Sequence, residues 1–63
     1  MNQTMYWWDF DNHGIIVESN NKKYPIVKRF EFNENADFAI TQAEELISDL
    51  KAGRVNVKEV FLK

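Results

Sequence analysis

Between Asn33 and Gly53 the chain writes one amphipathic helix with both ends marked, and strand-like segments flank it. At about 100° per residue, Ala36, Ala39, Ile40, Ala43, Leu46, Ile47 and Leu50 share one face. Asp37, Thr41, Gln42, Glu44, Glu45, Ser48, Asp49 and Lys51 share the other. A helix with a single apolar stripe needs a second layer to cover it, and here the only candidate is a sheet. Asn33 and Asn35 are both good N-cap residues. Glu34 and Asp37 suit the positive end of the helix dipole, and Lys51 suits the negative end. Gly53 sits where a left-handed C′ residue belongs. A rival start exists, because Thr41 followed three residues on by Glu44 matches a capping box. In that version the helix covers only residues 42–52, and Phe38 points inward with Ile40. In the long version Phe38 is the one large apolar residue on the polar face. The unbroken stripe back to Ala36 favours the long version.

The remaining segments read as strands. Residues 5–10 alternate Tyr6, Trp8 and Phe10 against Met5, Trp7 and Asp9. Asp11-Asn12-His13-Gly14 is a turn, with Asp and Asn bonding locally to the backbone and Gly14 expected to supply positive φ. Residues 15–18 form a β-branched strand, and Asn20-Asn21 marks a second turn. Residues 23–32 carry Tyr24, Ile26, Phe30 and Phe32 on one parity. Lys28 breaks that parity and Pro25 cannot donate to a ladder, so an edge position or a bulge is expected there. Residues 54–62 read as a last strand, although Val55 and Val57 have one parity and Val60 and Leu62 the other. The expectation is therefore a single small α+β domain over residues 1–63, ordered β-β-β-α-β. An antiparallel meander carries one helix on one face, and the crossover is right-handed if the last strand lies parallel to the third.

A chain of 63 residues buries only about 60% of its unfolded surface, so its stability is marginal. It has no cysteine, which removes disulfide staples and thiolate metal sites and permits a reducing compartment. The first residues are neither basic nor followed by a long apolar run, so no signal peptide is expected. No segment has the roughly 20 apolar residues of a membrane span. The expected location is the cytoplasm. The net charge of −2, from 8 basic and 10 acidic residues, lacks the basic excess of a nucleic-acid binder. Seven asparagines together with the lysines suggest an AT-rich genome, such as that of a low-GC bacterium or its phage.

One helix covers one face of a sheet. With Tyr6, Trp8, Phe10, Ile15, Val17, Tyr24, Ile26, Phe30 and Phe32 on the helix side, the opposite face carries Met5, Trp7, Ile16, Val27 and Phe61. Such a patch marks an interaction surface, and Trp is enriched in binding hot spots. The alternative is that bulges and loops fold these residues into the core. A second candidate surface is the outer face of the helix, where Glu34, Asp37, Glu44, Glu45 and Asp49 surround Phe38. An ordinary solvated face has the same composition.

Other constellations carry less. Asp9, Asp11 and His13 alternate as strand residues pointing one way would, which is the one arrangement that could hold a metal. Two of them lie in an obvious turn, where Asp is expected on local grounds. Lys22, Lys23, Lys28 and Arg29, near Tyr6, Trp7 and Trp8, could serve single-stranded nucleic acid. They equally fit a solvated hairpin end with edge-guarding lysines. No phosphate loop, nucleophile triad, zinc spacing or dinucleotide fingerprint is present. The sequence therefore predicts no enzyme, no cofactor, no metal and no catalytic residue. It predicts a small protein-binding inhibitor, adaptor or regulator, encoded by a phage or mobile element, that contacts its partner through Trp7, Ile16, Val27 and Phe61, or through Phe38 and Glu45. The alternatives are a single-stranded nucleic-acid binder using sheet aromatics and a homodimeric assembly protein.

Overall fold

The computed structural model describes residues 4–32 and 36–61. Three strands, β1 (Tyr6–Asp11), β2 (Gly14–Ser19) and β3 (Ile26–Glu31), form an antiparallel sheet in the order β1-β2-β3. Helix α1 (Ala36–Ala52) packs across one face, and a short helix α2 (Val57–Phe61) follows it. The domain is α+β, as the patterning predicts. Ile15 and Val17 of β2 meet Ala39, Ala43, Ile47 and Leu50 of α1 in the core, and Tyr6, Trp8 and Phe30 pack around them. Small alanines at two of the four buried helix positions let α1 lie close to the β-branched residues of the central strand.

Helix α1 takes the long form, so Phe38 lies exposed in its first turn. The proposed caps Asn33 and Asn35 lie outside the described residues. At the other end Gly53 has φ 78°. The Arg54 amide donates to the Asp49 carbonyl at 2.9 Å and the Gly53 amide to that of Leu50 at 3.3 Å. These are the two bonds of a Schellman motif. The Arg54 Nε also reaches Asp49 Oδ1 at 2.8 Å, a polar clasp where an apolar contact is more usual.

The expected last strand is a helix. Asn56 Oδ1 accepts the Lys58 amide at 2.9 Å, and the Asn56 carbonyl accepts that of Glu59 at 3.0 Å. Asn56 therefore N-caps α2, with Glu59 at the third helical position. Val57 and Val60 then share one face and lean on the core. The parity break that a strand reading had to explain is thus a 3-residue helical spacing. The parallel crossover falls away with that strand.

Gly14 also differs from expectation, because Gly53 alone has positive φ among the described residues. Asn12 and His13 close the β1–β2 hairpin without it. The Asn12 amide bonds to Asp11 Oδ1 at 2.7 Å, and the His13 carbonyl accepts the Phe32 amide at 3.0 Å. Gly14 is required for space. A Cβ there would fall on the Phe30 carbonyl oxygen and lie 2.9 Å from the Glu31 Cα.

The bulge expected in β3 is present. Val17 pairs with Lys28 and Glu18 with Ile26, so Val27 is the extra residue. It reverses the expected parity at Val27 and Ile26 and leaves that of Phe30 as expected: Val27 turns into the core, 4% exposed, and Ile26 turns outward, 41% exposed. Tyr24 belongs to the β2–β3 connection rather than to a strand. That connection hangs on buried Ser19, whose hydroxyl donates to the Tyr24 carbonyl at 2.7 Å and accepts the Asn21 amide at 3.1 Å.

Candidate functional site: the open face of the sheet

The face of the sheet turned away from α1 can be read in rows from the strand register. The first row is Trp7, Glu18 and Ile26; the second is Asp9, Ile16 and Arg29; the third is Asp11, Gly14 and Glu31. Ile16 sits at the centre and is only 9% exposed, yet it is no part of the core cluster. Trp7 is 43% exposed, and its Nε1 donates to Glu18 Oε1 at 3.2 Å, which fixes the indole over the neighbouring strand. From the second row Arg29 Nε reaches diagonally to Asp11 Oδ2 of the third at 3.0 Å. The neighbour of Asp11 across the third row is Gly14, which has no side chain to block the approach.

This surface is mixed in character. Trp7, Ile26 and Ile16 make an apolar strip, and Met5 lies exposed just before β1. Glu18 stands between Trp7 and Ile26, and Asp9, Asp11 and Glu31 flank the strip, against the single guanidinium of Arg29. The face is therefore acidic with an apolar centre.

The predicted site residues divide accordingly. Trp7 and Ile16 are on the open face, as expected. Val27 is not, because the bulge carries it into the core. Phe61 lies on α2, and its ring packs against Tyr24 at 5.0 Å between centroids. Phe38 and Glu45 are exposed on α1, seven residues apart and so on one side of it. Ile26 was missed, and only knowledge of the bulge could have placed it. Phe10 and Phe32, assigned to the helix side, are exposed beyond the reach of α1. They form an edge-to-face row with Trp8, at 5.5 Å for Trp8–Phe10 and 6.5 Å for Phe10–Phe32.

The other constellations disperse. Asp9 Oδ1 accepts the Phe10 amide at 2.8 Å, and Asp11 is engaged by Arg29 and its own turn. Among the described residues no three His, Asp or Glu side chains gather closely enough to hold a metal ion. Of the four basic residues, Lys22 and Lys23 lie in the β2–β3 connection, and Lys28 and Arg29 turn to different faces. Lys28 places its Nζ 5.8 Å from the centre of the Phe30 ring. Among the described residues no helix is long and apolar enough to cross a membrane. No protein-family model, curated protein or solved structure matches the chain.

Proposed function

We propose that the protein is a non-enzymatic binding module that docks on a larger protein through the open face of its sheet. The observation that carries this reading is the pair of exposed apolar side chains Trp7 and Ile26 beside the nearly buried Ile16, set among the carboxylates of Asp9, Asp11, Glu18 and Glu31. An aromatic anchor surrounded by a polar rim is the anatomy of a binding hot spot. The acidic rim selects a basic surface on the partner, and it speaks against nucleic acid, whose phosphates it would repel. The role is that of an inhibitor, adaptor or regulator. A chain without cysteine suits the reducing cytoplasm, where we place it. Phe38 with Glu45 on α1 is a second surface, favoured by the large exposed ring of Phe38.

Affinity capture with the immobilised full chain tests this. The wild type should retain a protein that Trp7→Ala and Ile26→Ala lose, at a cost of about 2 kcal/mol in affinity for the central aromatic. Phe38→Ala should retain it. Loss with Phe38→Ala alone transfers the contact to α1, and retention by all three variants removes both surfaces.

A further inference from the structure

We infer that two copies of this chain pair through the free edge of β1, in antiparallel register about a two-fold axis at Trp7. In an antiparallel ladder the backbone groups of successive residues point alternately to the two sides. The Asn20 amide bonds to the Met5 carbonyl, so Met5, Trp7, Asp9 and Asp11 face β2, while Tyr6, Trp8 and Phe10 face the outer edge. The Phe10 amide on that edge is already given to the Asp9 carboxylate. Tyr6 and Trp8 thus offer the two open donors of the strand. An edge of this kind is a template for another strand.

A two-fold axis at Trp7 sets Tyr6 of one copy opposite Trp8 of the other. This uses both donors twice and never calls on Phe10. The two Trp7 residues become a directly opposed pair on the open face, with Cβ atoms about 5 Å apart. A shallow groove runs between β1 and α1, lined by Tyr6, Trp7 and Trp8 on one wall and Glu44, Ser48 and Lys51 on the other. The second strand would enter along it.

The charges on the helix wall identify the occupant as a second copy. Glu44 and Lys51 stand two helical turns apart, on either side of Ser48. The two-fold axis runs the second helix antiparallel to the first and brings each Glu44 opposite the other copy's Lys51. Because α1 lies over β2 and β1, the two helices stand two to three strand spacings of about 4.8 Å apart, and these long side chains reach across that gap. The pattern is self-complementary, as an isologous contact requires. The pairing keeps both Trp7 side chains on the open face, where they would extend the docking strip across the two copies, while Glu44 and Lys51 are on the other side of the sheet.

Sedimentation equilibrium of the full chain, over a wide range of protein concentration, tests the inference. The wild type should move from its 7.5 kDa monomer to a dimer. Glu44→Lys and Lys51→Glu, both exposed and far from the core, should each weaken the dimer at least tenfold, because each sets like charges face to face. Mixed in equal amounts, these two variants should dimerise with one another, since every contact then joins an acid to a base. Amide exchange at Tyr6 and Trp8 should slow as the wild-type concentration rises. A wild type that stays monomeric overturns the inference. So does a dimer that leaves the Tyr6 and Trp8 amides unprotected, or a variant mixture that fails to pair.

Discussion

The two glycines show how one residue type answers two different demands. Gly53 is used for its backbone, at φ 78° with open space where a Cβ would go. Gly14 is used for its lack of a side chain, pressed against the β3 backbone. Gly53→Ala should cost about 1 kcal/mol from left-handed strain, and a D-alanine placed there by synthesis should recover it. Gly14→Ala should cost about 2 kcal/mol or more, because the backbone of β3 must move. Urea denaturation of the three variants beside the wild type separates the two cases. The role of Gly53 was legible in sequence, since a glycine after an apolar stripe with a lysine in its last turn is a local signal. The role of Gly14 was not, because the atoms that exclude a side chain belong to residues sixteen to eighteen positions later. Asn56 carries a local signal of its own. Asn followed three residues on by Glu is a helix start, and Asn56→Ala should destabilise the domain by about 1 kcal/mol in the same measurement.

At the scale of elements, pattern succeeded where the period was sustained and failed where a single residue shifted it. The helix stripe runs through four turns, so a mistake at one position could not hide it. The sheet faces depend on a period of two, which one extra residue inverts. Alternation put Ile26 inside and Val27 outside; the bulge exchanges them. Lysine scanning reads this directly. Ile26→Lys should change stability by no more than about 0.5 kcal/mol, as at other surface positions. Val27→Lys should cost about 3 kcal/mol or more, because it buries a charge without a partner. The opposite ranking would restore the regular strand. The short helix α2 escapes the apolar pattern for a related reason. Five residues are too few for helical and strand periods to separate by apolar count, so the cap at Asn56 was the only decisive signal.

For the molecule as a whole, the sheet has one face occupied by α1 and, among the described residues, no element packed on the other. The existence of an uncovered face followed from counting helices in the sequence, and Trp7 and Ile16 were placed on it correctly. Its acidic rim was not foreseen, because the rows Asp9–Ile16–Arg29 and Asp11–Gly14–Glu31 exist only once the register is known. If the rim guides docking on a basic partner, added salt should slow association more than it speeds dissociation, which stopped-flow measurements with the captured partner can resolve. One consequence of the bulge concerns evolution by insertion and deletion. The strands β2 and β3 are tied at Ile15–Phe30 and again where the Ser19 amide meets the Pro25 carbonyl, and β3 takes one residue more than β2 to travel between these ties. Loss of either Ile26 or Val27 would leave hydropathy almost unchanged and the ladder more regular. It would also leave Lys28 as the sole residue of β3 opposite Val17. In this segment the number of residues matters as much as their identity, because a shortened strand would keep Phe30 beside the core and lose the inward place of Val27.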